Sequence, residues 1–556
     1  MQGFEIHSNR IWDENSILRA LDFMVEVGMD ALVLHQVDII DHLVFPEKYF
    51  GEPSIVPGKW PKRPLFVLWR NQRNHVPYMK WLIERAHSKG VKVFLEVKEP
   101  WYPEVLLYVH PELLGKGGEI CPSNPFWFEF LRAKIEKLLE VIPDLDGIVE
   151  SLSTVETKVS LFSSNCECTR CQQVDVKEWY RNVISAVYEP LHKKGKELVV
   201  RDFAYLPEEH RALIEVIQEM PSDIALSLKN TPHDYYPTFP HNPHIGKVNN
   251  REQIIEFDGW GQYFGLGIFP CVLLEDFRER IKYAFSRGAS GYLCRVDWEG
   301  ATGGWILDSL NLINLCGLAS FAKDFESEHD FESIVGEALK ILENQKSTIP
   351  FLEATFFPKT SSELTELTSL LLKTWPIIEK SLYVKGFLFQ HNSAFLASFE
   401  EARNIRTKVH PLTPWKPDQK DPFEEINRER ADYIIAEKEE ALNEVNEIAS
   451  LLKSKRLQLS SRLNSSLLSL FEAFALYVEG FYLSAKAYTL TELTLADRKH
   501  ETEALQAISA LEEFIPRLKH QGSRYLWEPF FHNIYFLLDP EKVTQFGKSL
   551  LRAIKG

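Results

Sequence analysis

Short apolar or β-branched runs alternate with amphipathic helical segments over the first 325 residues, and this alternation constrains the fold most strongly. Eight runs are expected to be strands, at residues 4–7, 31–35, 93–97, 147–152, 198–203, 224–228, 254–258 and 291–296. Helices are expected between them, among others at residues 14–27, 77–89, 125–141 and 176–194. Eight strand–helix units predict an α/β fold, a (β/α)8 TIM barrel over residues 1–325, with a doubly wound sheet as the alternative.

The sequence pattern changes at about residue 326. Strand patterns stop there, and long helical patterns follow at residues 331–344, 361–384, 421–454, 463–488 and 498–519. A chain of 556 residues is also too long for a single core. We therefore predict an all-α C-terminal domain over residues 326–556. Its amphipathic helices offer a surface for a homodimer, although packing within the domain explains the same pattern.

Charge and composition exclude several classes of partner. The formal net charge of −16 argues against nucleic acid and anionic membrane surfaces, since both are polyanions. No stretch approaches the roughly 18 uninterrupted apolar residues of a membrane span, and the first residues do not resemble a signal peptide. Seven cysteines are too few for a disulfide framework in a chain of this size. We expect a reduced, cytoplasmic protein that binds neither nucleic acid nor membrane.

Residues that follow the predicted strands should share one end of the barrel, where this fold keeps its chemistry. The densest stretch follows the sixth strand, where residues 227–237 read Ser-Leu-Lys-Asn-Thr-Pro-His-Asp-Tyr-Tyr-Pro. The whole set comprises His35, Gln36, Glu96, Lys98, Glu99, Trp101, Glu150, Glu156, Arg201, Asp202, Lys229, Asp234, Glu256, Asp258, Arg295, Asp297 and Trp298. So many ionisable groups at one end favour a polar, multiply hydroxylated or charged ligand.

Two carboxylic acids in this set suit the cleavage of a glycosidic bond, which needs one carboxyl group as proton donor and a second to activate water. Glu156 follows the fourth strand and Asp234 follows the sixth, so the pair could straddle a sugar. The alternative for either residue is a solvated loop carboxylate or a helix N-cap. Lys229 and Arg201 are cations at strand ends that could hold a carboxylate substituent. Their alternative is a salt bridge with a neighbouring acid.

Three cysteines within six positions, Cys166, Cys168 and Cys171, form half of a metal-binding pattern. Structural zinc normally has four ligands, and a nearby histidine could complete the set. Bound zinc and reduced thiols that brace the loop are the two interpretations. No Gly-x-Gly-x-x-Gly follows the first strand and no Walker A pattern is present, so we predict no cofactor, with a structural zinc at the cysteines as the alternative.

Several segments resemble the α-glucuronidases of glycoside hydrolase family 67. Residues 90–97, Gly-Val-Lys-Val-Phe-Leu-Glu-Val, resemble the family's Gly-Ile-Lys-Val-Tyr-Leu-Ser-Val, and residues 201–205, Arg-Asp-Phe-Ala-Tyr, resemble its Arg-Ala-Phe-Val-Tyr. The most specific match is residues 229–234, Lys-Asn-Thr-Pro-His-Asp, against Lys-Asn-Gly-Pro-Ile-Asp. The resemblance covers residues 10–325 and, loosely, the helical domain, without the family's N-terminal β domain.

This resemblance implies roles for individual residues. Asp234 would be one of two carboxylates that activate water with inversion, while Lys229 and Arg201 would hold the glucuronate. The sequence departs from the family in three respects. Gln262 stands where the family has its second base, and Glu150 stands where it has a lysine, with the acid displaced by two positions to Glu156. These departures leave the identity of the sugar open, with the family's uronic acid and a different sugar as the alternatives.

We predict an inverting, exo-acting glycoside hydrolase that removes an α-linked sugar, with a uronic acid as the candidate, from an oligosaccharide in polysaccharide degradation. Glu156 is the expected general acid and Asp234 the general base. The expected substrate-binding residues are Lys229, Arg201, Glu150, Gln262, Asn230, Trp298 and His35. The alternatives are a barrel that binds carbohydrate without cleaving it, and a barrel glycosidase of another substrate class, such as a hexosaminidase.

Overall fold

The structure is a computed structural model. It describes residues 1–50, 62–115, 117–152, 156–162, 164–204, 207–248, 250–301, 303–353, 356–525 and 531–556. The chain forms two compact units. The first unit consists of residues 1–234, 242–257 and 283–295, and the second unit consists of residues 235–241, 258–282 and 296–556.

Eight parallel strands close into a barrel in the order of the sequence. They are β1 (Gln2–Ile6), β2 (Ala31–His35), β3 (Lys92–Val97), β4 (Gly147–Leu152), β5 (Glu197–Asp202), β6 (Ala225–Lys229), β7 (Gln253–Asp258) and β8 (Gly291–Arg295). Ser151 pairs with Arg201 across β4 and β5, and Lys229 pairs with Glu256 across β6 and β7. The predicted TIM barrel is confirmed, and so is the helical C-terminal region that follows it.

Between β6 and β7 the described residues form no helix, and helices connect the other consecutive strands. They are α1 (Glu14–Val27), α2 (Ile39–Leu43), α3 (Glu47–Phe50), α4 (Lys62–Ser88), α5 (Val105–Val109), α6 (Pro125–Val141), α7 (Thr169–Gln173), α8 (Val176–Lys193), α9 (Pro207–Glu219) and α10 (Leu274–Phe285). Local signals set their ends. Asp13 caps α1 by accepting the Ser16 N–H, and Gly28 ends that helix in the left-handed region with a φ of 78°.

The barrel interior has an apolar layer with a polar layer beyond it. The apolar layer is formed by Ala31, Val33, Phe94, Val149, Val199, Ala225, Ile254 and Leu293. Side chains alternate along a strand, so residues two positions further along also face inward. They are Glu5, His35, Glu96, Ser151, Arg201, Ser227, Glu256 and Arg295, and all are buried. This ring, called the polar layer below, lies at the carboxyl ends of the strands.

The second unit is mainly helical. Its remaining helices are α11 (Leu312–Lys323), α12 (Phe331–Asn344), α13 (Ser361–Leu372), α14 (Thr374–Leu382), α15 (Phe399–Asn404), α16 (Arg428–Lys453), α17 (Ser461–Ala496), α18 (Glu501–Ser523), α19 (Phe531–Leu537) and α20 (Pro540–Lys555). Of the described helices, α17 alone is long and apolar enough to cross a membrane. In its most apolar window 67% is buried inside the structure, as in the core helix of a helical domain.

Candidate active site

Arg201 holds two carboxylates of the polar layer together. Its Nη1 lies 2.6 Å from Glu96 Oε1, and its Nε lies 2.8 Å from both oxygens of Glu256. Ser227 Oγ donates a further hydrogen bond of 2.6 Å to Glu256. The guanidinium that the sequence assigned to a substrate carboxylate is therefore already engaged by two carboxylates of the barrel itself.

His35 links two more strands of the polar layer. Its Nδ1 lies 2.8 Å from Glu5 Oε1 and 3.2 Å from Glu96 Oε1. Burial, reinforced by the nearby Lys98 ammonium, holds the pKa of His35 well below its usual value, so the ring is neutral and Nδ1–H is the donor. The His7 ring stacks on it, with centroids 3.7 Å apart. His35, predicted to bind substrate, is thus a buried part of the barrel.

Lys229 and Asp234 form an ion pair just beyond β6. Lys229 Nζ donates to Asp234 Oδ1 over 2.7 Å, and the two residues are 4% and 7% exposed. Burial lowers the pKa of Lys229 to about 8, and the Asp234 charge opposes that shift. Asp234 has a φ of 49°, a left-handed conformation that aspartate tolerates, and the Thr231 hydroxyl donates to its main-chain oxygen.

The main chain holds this loop in place. Asn242 Nδ2 donates to the Lys229 main-chain oxygen over 3.0 Å, and the Asn230 N–H donates to the Glu256 main-chain oxygen over 3.0 Å. Asn230 is 6% exposed. The structure therefore brings Lys229, Asn230 and Asp234 together, as the spacing predicted.

A second carboxylate–ammonium pair joins β3 to the loop after β4. Lys98 Nζ donates to Glu156 Oε2; the Lys98 side chain is 5% exposed and that of Glu156 is 47% exposed. Both ammonium groups lie near the Phe203 ring, whose centroid is 3.7 Å from Lys229 Nζ and 5.8 Å from Lys98 Nζ. Glu156 and Asp234 therefore belong to one cluster of charged groups around an aromatic ring.

Glu150 faces away from this cluster. Val149 and Ser151, on either side of it in β4, point into the barrel. Side chains alternate along a strand, so Glu150 points outward, toward α6. Its Oε1 accepts the Glu99 N–H over 3.0 Å, and its Oε2 has no hydrogen-bond partner among the described residues. Burial, followed by the Glu99 charge, raises the pKa of Glu150 well above its usual value. The structure does not bring this predicted substrate-binding residue together with Lys229.

Glu150 adjoins a buried ion triad. Lys134 Nζ on α6 lies 2.7 Å from both Asp41 Oδ1 and Glu99 Oε1. Burial disfavours the ammonium, but the two carboxylates outweigh that effect and raise the pKa of Lys134 to about 12. This triad fixes Glu99 and the residues that follow β3.

Two predicted binding residues lie in the second unit. Gln262 Nε2 donates to Asn392 Oδ1 over 2.9 Å, and the Gln262 N–H donates to Asp258 Oδ2 over 2.8 Å. The Trp298 ring lies 6.2 Å from that of Phe536. The remaining predicted substrate-binding and catalytic residues lie in the first unit.

Four cysteines converge at the same end of the barrel. Cys166, Cys168 and Cys171 are joined by Cys121, and their sulfur atoms all lie within 4.8 Å of one another. Sequence analysis missed Cys121, which precedes α6 in the segment after β3. Cys121 lies in the loop after β3, and the other three cysteines lie in the loop after β4. Because loops that follow neighbouring strands lie close together in a barrel, this placement could have indicated that the four cysteines meet. The ligand atoms of Glu5, His7 and His35 also lie within 4.8 Å of one another. The hydrogen bond between His35 and Glu5 accounts for the short distance between those two residues.

Lys98 and Ser227 were expected at this end of the barrel without an individual role, whereas Glu5 and Phe203 were not singled out from the sequence. Strand alternation could have predicted that Glu5 and Ser227 face the barrel interior, because each lies two positions beyond an inward-facing residue. Nothing local to Lys98 or Phe203 indicates that they meet, since they follow different strands.

An open cleft of about 760 Å³ lies in the second unit. Its lining includes Arg403 and Arg406, and both guanidinium groups are held by carboxylates. Arg403 pairs with Glu492 at 2.6 Å, and Arg406 pairs with Asp421 at 3.1 Å. This cleft therefore offers less for catalysis than the cluster in the barrel.

No family model and no curated protein matches this chain. Among solved structures, a GH138 enzyme targeting pectin rhamnogalacturonan II aligns with a TM-score of 0.57 and 13% identity, over 94% of this chain and 62% of that chain. The chain thus spans less than two thirds of that enzyme. A Thermobaculum terrenum O-GlcNAc hydrolase mutant aligns with a TM-score of 0.40 and 12% identity, over 100% of this chain and 93% of that chain.

The Flavobacterium johnsoniae chitobiase aligns with a TM-score of 0.39 and 14% identity, over 98% of this chain and 77% of that chain. At such identities the likeness shows a shared fold, and the two lower scores carry no further argument. The matching structures are barrels of glycoside hydrolases. The resemblance to family 67 stays a prediction.

Proposed function

We propose that this protein is an inverting, exo-acting glycoside hydrolase that removes an α-linked uronic acid from an oligosaccharide. The observation that carries the proposal is the pair of carboxylate–ammonium contacts, Asp234–Lys229 and Glu156–Lys98, whose ammonium groups both lie near the Phe203 ring. Two carboxyl groups are what glycosidic cleavage requires, and two cations beside them suit an anionic substrate.

Asp234 is the proposed general base. Lys229 keeps an ammonium group 2.7 Å from its carboxylate, which favours the ionised form that a base needs. In an inverting reaction this carboxylate takes a proton from the water that attacks the anomeric carbon. The same base is implied by the resemblance of residues 229–234 to the family 67 sequence.

Glu156 is the proposed general acid, and its contact with Lys98 suggests how substrate is recognised. The ammonium is buried whereas the carboxylate is half exposed, so an incoming anion can replace Glu156 on Lys98 with little rearrangement. A uronate carboxylate in that place would release the Glu156 carboxyl group from Lys98, and this group would then act as the proton donor to the leaving oxygen. A neutral sugar would not make this exchange.

The GH138 structure that shares the fold belongs to an enzyme targeting pectin rhamnogalacturonan II, so pectin-derived oligosaccharides belong among the substrates to be tested. Fold alone does not fix function, so the charged cluster remains the main argument.

The test is proton NMR of the purified full chain with short xylo-oligosaccharides that bear α-linked glucuronate or its 4-O-methyl ether, and with α-linked galacturonate oligosaccharides. We expect release of the uronic acid as the β-anomer. Asp234→Asn should be slower by roughly 10² to 10⁴-fold, the usual contribution of a general base. Asp144→Asn, at an exposed loop position, is the matched control and should keep the wild-type rate.

Other outcomes separate the alternatives. Release of the α-anomer would exclude inversion. Cleavage of neutral or N-acetylated glycosides in place of uronides would favour a barrel glycosidase of another substrate class. Binding of uronides by calorimetry without any cleavage, unchanged in Asp234→Asn, would indicate a carbohydrate-binding barrel without catalysis.

A further inference from the structure

The four cysteines converge from two loops that are distant in sequence. Cys121 lies in the segment between β3 and α6, and Cys166, Cys168 and Cys171 lie in the segment between β4 and α8. Cys121 Sγ is 3.6 Å from Cys168 Sγ and 3.4 Å from Cys171 Sγ. The cluster therefore connects two neighbouring loops at the carboxyl end of the barrel.

The spacing of the sulfur atoms fits a four-coordinate metal. Tetrahedral zinc binds thiolates at about 2.3 Å, which places neighbouring sulfur atoms roughly 3.8 Å apart. The two measured distances fall close to this value, and all four sulfurs lie within 4.8 Å of one another. A disulfide would instead bring two sulfurs to about 2.05 Å, and all seven cysteines here are free thiols.

The surrounding structure holds the loops in this arrangement. The Trp127 indole N–H donates to the Cys121 main-chain oxygen over 3.0 Å, and the Trp179 indole N–H donates to the Pro122 main-chain oxygen over 3.1 Å. Ser164 Oγ donates across the two loops to the Ile120 main-chain oxygen over 3.0 Å. The loop after β3 is therefore anchored to α6 and α8, and the loop after β4 is joined to it, by hydrogen bonds that do not involve the thiols.

A second set of contacts orients the sulfur atoms themselves. Cys168 precedes the short helix α7, and its Sγ accepts the Cys171 N–H over 3.4 Å. Cys171 Sγ lies 3.4 Å from Ser123 Oγ. Hydrogen-bond donors of this kind around the ligands orient them and stabilise thiolate charge in metal sites.

We propose that Cys121, Cys166, Cys168 and Cys171 bind one Zn²⁺ in a closed, tetrahedral, structural site that ties the loop after β3 to the loop after β4. Four thiolates leave no coordination position for a substrate, so the site serves the fold and not the reaction. The loop after β4 also carries Glu156, whose contact with Lys98 spans the same two strands. The inference rests on the cysteine geometry alone and is independent of the proposed function.

The first measurement is the zinc content of the full chain, expressed in zinc-supplemented medium, gel-filtered and analysed by elemental mass spectrometry. We expect about one zinc ion per chain in the wild type and in Cys316→Ala, which removes a buried thiol from α11. Cys121→Ala should lose most of the metal. Iron in place of zinc, or an intact mass about 4 Da below that of the four thiols because of two disulfides, would overturn the proposal.

A second measurement keeps the proposal testable if Cys121→Ala fails to fold. Wild-type protein stripped with a chelator is titrated with Co²⁺, and the visible absorption of tetrahedral cobalt thiolate should saturate at about one equivalent and disappear on addition of Zn²⁺. Hydrogen exchange should become faster in residues 117–123 and 164–173 of the stripped protein and recover with zinc. Absence of the cobalt spectrum would contradict the site.

Discussion

Arg201 and Glu256 form a two-point ion pair inside the barrel, with the Nε and Nη2 nitrogens of the arginine each 2.8 Å from carboxylate oxygens. The same guanidinium also holds Glu96 at 2.6 Å. With both partners buried, the arginine cannot turn toward a substrate without leaving two carboxylates unpaired. Its geometry therefore indicates a structural role beneath the site.

Arg201→Met should lower the free energy of unfolding by about 3 to 5 kcal/mol, because it leaves buried carboxylates without their cation. Urea unfolding followed by circular dichroism measures this loss. The control is Arg181→Met, which breaks the exposed Arg181–Glu219 pair and should cost no more than about 1 kcal/mol. If Arg201→Met were as stable as wild type but bound uronides weakly, the arginine would instead hold the substrate, as the family resemblance implies.

The stability of the fold should depend on Lys229 at alkaline pH. Burial lowers the pKa of this residue to about 8, against 10.5 in the unfolded chain. Between these values the unfolded state binds a proton that the folded state lacks, so raising the pH stabilises the folded state. We expect the stability of wild type relative to Lys229→Met to rise between pH 8 and 10.5 by up to roughly 3 kcal/mol.

Urea unfolding of both proteins at a series of pH values measures this difference. A difference in stability that is flat from pH 8 to 10.5 would show that the pKa of Lys229 is not lowered.

Lys134→Met should leave Asp41 and Glu99 buried without a cation and cost about 3 to 5 kcal/mol at pH 7. Burial raises the pKa of both carboxyl groups, so the folded variant takes up protons more readily than the unfolded chain as the pH falls. Its deficit relative to wild type should therefore shrink from pH 7 to pH 5. Thermal or urea unfolding at the two pH values measures this.

The control for this variant lies on the same helix. Lys137→Met removes an exposed pair with Glu140 and should change stability by well under about 1 kcal/mol at either pH. An equal deficit for Lys134→Met at both pH values would mean that the two carboxyl groups do not titrate in this range.

Glu156→Gln should separate proton donation from binding. We expect hydrolysis of natural uronides to slow by roughly 10² to 10⁴-fold, while hydrolysis of the corresponding glycosyl fluoride, whose leaving group needs no proton, changes little. Steady-state kinetics with both substrates measures the contrast, and Glu26→Gln at an exposed position of α1 is the control. Equal losses on the two substrates would assign Glu156 to binding.

Most of the barrel could be predicted because its strands are marked locally. The runs at 31–35 and 147–152 coincide with the observed Ala31–His35 and Gly147–Leu152. The sixth strand is displaced by one residue, to Ala225–Lys229, because Lys229 still pairs with Glu256 in β7. The spacing of Lys229 and Asp234 after that strand was enough to expect them at one site.

The direction of Glu150 and the position of Cys121 could not be predicted. A strand that is buried on both faces, such as β4, has no polar alternation to tell inward from outward residues. Cys121 and Cys168 are 47 residues apart, and their meeting depends on how two loops pack above neighbouring strands. A single sequence carries local preferences, whereas both features depend on long-range packing.

The polar layer also has a consequence for how the strands align. If one strand of a wholly apolar barrel slid by two residues, its inward side chains would still point inward and still meet other apolar groups. Here the same slip in β5 would draw Arg201 away from Glu96 and Glu256 and set its charge among Phe94 and Val149. The register of the strands is therefore determined by charge as well as by side-chain packing, because Arg201 reaches both Glu96 and Glu256 in the observed alignment.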